Sequence, residues 1–96
     1  MSYWIHPDAA SELGEAADYY AEHANPTIAQ AFIAEFERVR DLLIENQDRG
    51  PFGEFGFRRY HFDRFPYTVV YDPDDQAGPQ IYAVAPREPG FWRARA

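Results

Sequence analysis

Between Pro26 and Asn46 the apolar residues Ala29, Phe32, Ile33, Phe36, Val39 and Leu43 recur every three or four positions, and Arg40 is the one charged residue in the stripe. That period places them along one face of an α-helix. The preceding segment repeats the pattern with Ala9, Leu13, Ala16, Ala17 and Tyr20, while Glu12, Glu15, Asp18 and Glu22 mark a solvated opposite face. Only the break "HANPT" separates the two, so the chain must form an antiparallel helical hairpin. Neither stripe can stay in water. A third apolar surface has to cover both.

The local signals support these boundaries. Pro7 follows the short apolar run "SYWI" and suits the first position of a helix, with Asp8 near the positive end of the helix dipole. Asn25 is placed to cap the second helix and Pro26 to open it. After the glycine- and proline-marked loop "QDRGPFGEFG", the alternation of "FRRYHF" and "FPYTVVYD" predicts two strands joined tightly at Asp63 and Arg64. Pro66 belongs at the start or edge of the second. The loop "PDDQAGP" precedes another strand, "QIYAVA", and Pro86 and Pro89 end regular structure before the tail "GFWRARA". The order is strand–helix–helix–three strands. It predicts an α+β domain spanning residues 1–96, with the helical hairpin packed on one face of an antiparallel sheet.

Composition narrows the function. With 96 residues and 46% hydrophobic content the chain supports one modest core. Cysteine is absent, which suits the cytoplasm and excludes a disulfide or a thiol nucleophile. The start "MSYWIHPDAA" does not read as a signal peptide, and no apolar run approaches the roughly 20 residues of a membrane span. The formal charge is −7, and every basic residue is arginine. Residues 1–48 hold two arginines against ten acids, whereas residues 49–96 hold seven against six. Bulk charge opposes general nucleic-acid binding, but the second half retains room for a local cationic patch.

Strand alternation divides that half into faces. Arg58, Tyr60 and Phe62 share one side of the first hairpin strand, and Phe57, Arg59 and His61 the other. The next strand separates Phe65, Tyr67, Val69 and Tyr71 from Pro66, Thr68 and Val70. The helices cover one side only, so the other presents aromatics with arginines. This composition suits protein interfaces and base-stacking sites; arginine stems lying over core aromatics would give the same pattern. His6, His23 and His61 lack metal-binding spacing, and His6 and His23 lie near helix ends, where a capping or surface role fits. The glycines of "GPFGEFG" precede neither a lysine nor a helix, so they form no phosphate loop, and "DPDD" reads as a solvated turn. No metal and no cofactor is expected.

The segments "FPYTVVYD" and "IYAVAPREPGFWRAR" resemble the C-terminal pattern of the RelE/ParE toxin superfamily, and most closely its ParE-like, plasmid-stabilisation branch. The paired helices and following loop extend the similarity over nearly the whole chain. The resemblance implies a toxin of a type II toxin–antitoxin system with a cognate antitoxin as partner. It implies contact with DNA only indirectly, through that antitoxin. ParE-like members poison DNA gyrase, with no hydrolytic site assigned. RelE-like members are endoribonucleases that cut mRNA on the ribosome, using basic residues with a histidine or tyrosine on the open sheet face.

Pro86 stands where the family pattern often has histidine after "AVA", and proline transfers no proton. The nuclease alternative would therefore fall to Arg59, His61, Tyr67 and Arg87, with arginine a poor base. The ParE-like reading needs no catalytic residue. It takes Arg58, Arg64, Arg87, Phe91, Trp92 and Arg93 as target-binding residues, and it is favoured by the acidic charge. A domain that still binds its antitoxin without being toxic is the remaining alternative.

Overall fold

A computed structural model describes residues 2–53 and 56–87. Strand β1 (Trp4–Ile5) leads directly into helix α1 (Pro7–His23), followed by α2 (Pro26–Glu45). A single 3-10 turn at Gln47–Arg49 opens the loop to β2 (Arg58–His61), β3 (Tyr67–Asp72) and β4 (Gln80–Pro86). Each helix begins on a proline. The His6 ring caps α1 by accepting from the Asp8 amide, and the Asn25 side chain caps α2 by accepting from the Ile28 amide at 2.9 Å. These bonds satisfy N–H groups that the first helical turn leaves unpaired.

The four strands lie in the order β1-β4-β3-β2. The last three alternate in direction, as the tight connections between them require. The expected all-antiparallel sheet is corrected at one place, where β1 runs parallel to β4. No short turn joins those two strands, so nothing local fixes their relative direction, and period-two alternation carries no direction at all. The sheet is mixed.

One face of this sheet meets both helical stripes. Phe32, Phe36, Val39 and Leu43 of α2 pack with Phe62, Val69, Tyr71, Ile81 and Val84, and Leu13, Ala17 and Tyr20 of α1 close the cluster. Tyr20, Phe32, Phe65 and Tyr67 form an aromatic knot, with ring centroids 5.0–5.3 Å apart for Phe32 with Tyr67 and Tyr20 with Phe32. Such contacts add to plain area burial.

Two polar devices fix the loops to this core. The Tyr71 hydroxyl, buried beneath the 46–57 loop, donates to the Gln47 carbonyl at 2.6 Å and accepts from the Gly50 amide at 3.1 Å. Burial is the main reason its pKa rises above the ordinary 10.0. Gln47 also makes a two-way amide pair with the Asp74 backbone, at 2.8 and 3.0 Å. The loop after α2 and the turn before β4 are thereby joined.

Candidate interaction surface

The hairpin register decides which side chains face away from the helices. Arg59 lies opposite Val70 and His61 opposite Thr68. Val70 and Ala83 form a small cluster with Phe57 on that side, distinct from the main core. The β4 strand carries a bulge here: Val70 faces Ala83 while Tyr71 faces Ile81, so Tyr82 has no partner across the ladder. The bulge puts the Tyr82 ring 5.2 Å from Phe57 and 5.5 Å from Trp4, making an aromatic row across the sheet.

Four residues further along β2 the chemistry changes. His61 Nδ1 lies 2.6 Å from the Thr68 hydroxyl. Its pKa is held below the ordinary 6.5, first by burial and then by the charges of Arg87 and Arg59. The imidazole is therefore neutral at pH 7. Arg87 is fixed by two bonds, its amide donating to the Pro66 carbonyl at 3.1 Å and its guanidinium to the Phe62 carbonyl at 2.5 Å. The Arg59 side chain lies against Gly53, where an added Cβ would come within 2.6 Å of its Nε. Among the described residues neither Arg59 nor Arg87 meets a carboxylate.

The expected site residues divide by face. Arg59, His61 and Arg87 come together. Tyr67 does not: it points to the helix side, packed against Tyr20 and Phe32, and burial raises its pKa. Arg58 also lies on the helix side, where it binds the Asp48 and Gly50 carbonyls and stacks 4.0 Å above the Phe52 ring. Its geometry is that of a loop staple. Arg64 is exposed in the β2–β3 turn, and Phe91, Trp92 and Arg93 lie outside the described residues.

A residue the sequence reading missed is Glu35, whose side chain is only 4% exposed. It receives Nε and Nη2 of Arg38 at 2.9 and 3.0 Å and the Asp63 amide at 2.7 Å. The Arg38 bonds, with the Asp63 and Arg64 amides, hold its pKa down to about 2. This ion pair straps α2 to the β2–β3 turn. The i,i+3 spacing of Glu35 and Arg38 was its one trace in the sequence.

On the opposite side of the molecule the two helices leave a shallow apolar groove. Ala17, Ala21, Ala29, Ile33 and Ala34 floor it, and Asp18 and Glu37 are among the residues that line it. Two stretches of sheet edge, by contrast, are blocked. The Val84 amide donates to Glu12 Oε1 at 3.0 Å, and two residues on Pro86 brings no N–H to the same edge. On the other edge residues 51–53 run along β2, with Arg59 donating to the Pro51 carbonyl and Gly53 to the Phe57 carbonyl. Covered or proline-bearing edges resist strand addition.

Fold and surface together define a small two-layer α+β domain with separate acidic and cationic sides. Its sequence matches, over residues 3–89, the family described as ParE toxin of type II toxin-antitoxin system, parDE. The chain belongs to the ParE toxin family. Its fold is similar to a solved chain titled "Chromosomal ParDE TA system from P. aeruginosa", with a TM-score of 0.78 and 23% identity over 92% of this chain and 97% of that one. A comparison with curated proteins gives no match. Among the described residues no helix is long and apolar enough to cross a membrane.

Proposed function

We propose that this domain is a cytoplasmic ParE-like toxin that inhibits DNA gyrase by binding, without a hydrolytic step, and that a cognate antitoxin neutralises it. The placement of Tyr67 carries the non-hydrolytic part. Cleavage of RNA through its 2′-hydroxyl needs a base and an acid on the same side of the phosphate. His61 stands on the far face while Tyr67 packs half-buried on the helix face, and Pro86 supplies neither role. For the antitoxin, the covered sheet edges favour a segment lying in the α1–α2 groove over one that extends the sheet.

The test is expression of the toxin alone, followed by assays on purified components. Growth arrest with DNA damage, and inhibition of supercoiling by purified gyrase, are expected. Messenger RNA cleavage on translating ribosomes that His61→Ala abolishes would replace this reading with the endoribonuclease one. Absence of any toxicity, with antitoxin binding intact, would leave an interaction domain.

A further inference from the structure

Strand β1 ends after Ile5 and reaches only Gln80 and Ile81 of β4. From Tyr82 to Pro86 the outer edge of β4 has no strand beside it among the described residues, and α1 borders it instead. Between helix and edge runs a groove of about 270 Å³, with Ala16, Tyr19, Tyr67, Val84 and Pro86 as its apolar and aromatic walls. Tyr19 is 55% exposed there. Glu12 and Glu15 line the helix side of the groove. With Asp8 and Tyr19 they fall every three or four residues, so all four share one stripe of α1. Read from the Pro86 end, that stripe is an aromatic ring followed by three acids.

The chain leaves β4 at the mouth of this groove. Its next residues, Glu88, Pro89, Gly90 and Phe91, have proline and glycine at the two central positions of a type II turn. A turn there reverses the chain and sends residues 91–96 back beside the edge just left. Six extended residues cover about 20 Å, and the stripe from Tyr19 to Asp8 is roughly 17 Å long. Alternation puts Phe91, Arg93 and Arg95 on one side, about 7 Å apart, close to the ~5–6 Å between the acids of α1. The two orders match: ring to ring, then cations to acids.

We propose that the α1–β4 groove is the docking site of this chain's own residues 91–96. Phe91 packs against Tyr19 and Tyr67, and Arg93 and Arg95 pair with Glu15, Glu12 and Asp8. Glu12 already holds the Val84 amide and Pro86 offers no N–H, so side chains hold the segment rather than a strand ladder. A basic peptide from elsewhere would meet the same acids. The tail has the advantage of a tether at the groove's mouth, which makes its local concentration high. Docking takes Phe91 and Arg93 into the fold, away from the role of target anchors. Trp92 points the other way and is the tail aromatic left for a partner. None of this depends on what the toxin inhibits.

The chain has no cysteine, so Ala96→Cys carries a single nitroxide label on the full-length protein. Amide NMR signals of α1 should broaden most around Asp8 and Glu12 and least at His23. A tail that leaves Pro86 without turning back would give the opposite gradient, or none, and either overturns the proposal. Arg93→Glu combined with Arg95→Glu should abolish the gradient; its survival in that variant also overturns the proposal. Should the double reversal fail to fold, sodium chloride at about 1 M on the labelled protein decides, because exposed ion pairs are screened there. Equal broadening of unlabelled chains mixed with labelled ones would assign the groove to the tail of a second copy instead. Phe91→Ala should lower the melting temperature by about 4–8 °C and speed exchange of the Val84 amide, with Trp92→Ala close to the wild type. The reverse pattern would overturn the assignment of sides.

Discussion

Glu35→Gln is the most informative single substitution, because it removes a charge while keeping the side chain's shape. In the wild type the buried carboxylate accepts three hydrogen bonds, two from Arg38 and one from the Asp63 amide. The neutral amide keeps one accepting oxygen, so at least one of those donors is left facing an N–H group. The pKa of Glu35 falls from the ordinary 4.5 to about 2 on folding. At about 1.4 kcal/mol per unit, that sets an upper figure of about 3.5 kcal/mol. Arg38 is 41% exposed and Asp63 74%, so water screens part of the pair. A loss of about 2–3 kcal/mol at pH 7 follows, or roughly 10–20 °C in melting temperature for a domain of this size.

The sign in pH is fixed by the direction of the shift. A depressed carboxylate stabilises the fold above its unfolded pKa, and that contribution disappears as pH falls through the folded value. The gap between wild type and Glu35→Gln should therefore be full at pH 7, begin to close near pH 4.5, and be mostly gone near pH 2. Denaturant melts of both proteins across this range measure the gap directly. A variant as stable as the wild type at pH 7, or a gap that does not change with pH, would refute the strap.

Phe36→Ala, at a site 3% exposed between α2 and the sheet, should cost about 3–5 kcal/mol in a denaturant melt. Tyr71→Phe leaves the Gly50 amide and the Gln47 carbonyl without their partner and should cost about 1–3 kcal/mol, with faster amide exchange at Gly50 as its local mark. Two glycines should respond with opposite sign. Gly78→Ala puts a methyl group at φ +80° and 1.9 Å from the Ser2 carbonyl, so it should destabilise and detach β1, seen as loss of protection at the Trp4 and His6 amides. Gly14→Ala meets nothing within 4 Å inside α1 and should stabilise by about 0.5–1 kcal/mol.

Helices were legible in the sequence because their signals are local. The Asn25–Pro26 pair and the Phe32–Phe36–Val39–Leu43 stripe need no knowledge of the rest of the chain, and the structure starts α2 at Pro26 and caps it at Asn46. The strands were legible too, but not the relations between them. That Arg59 and His61 share a face follows from one strand's alternation. That Tyr67 does not join them depends on the hairpin register, which pairs His61 with Thr68, and no residue pattern states it. The bulge at Tyr82 defeats alternation outright, since it delivers Ile81 and Val84 to the same core. Buried Glu35 was obscured for a different reason. A carboxylate on a helix reads as solvated until a distant turn brings it amide donors, and Asp63 is 28 residues away.

If an antitoxin neutralises this protein as proposed, the two sides of the molecule bear on how it does so. The groove lies on the outer side of the helices, and the Arg59–Arg87 cluster on the outer side of the sheet. A helix is about 10 Å across, so one helical layer and the sheet put roughly 20 Å between the two surfaces. A segment that fills only the groove is therefore anchored without covering the arginines. Masking them takes further chain, at least about six extended residues at ~3.4 Å each. Antitoxin shortened to its groove-filling segment should thus bind the toxin and fail to suppress it, whereas the longer form does both. Calorimetry on the purified pair, beside growth of cells expressing each form, measures the two properties separately. If the shortened antitoxin restores growth fully at equal occupancy, toxicity does not run through the arginine face, and the groove itself becomes the surface that meets the target.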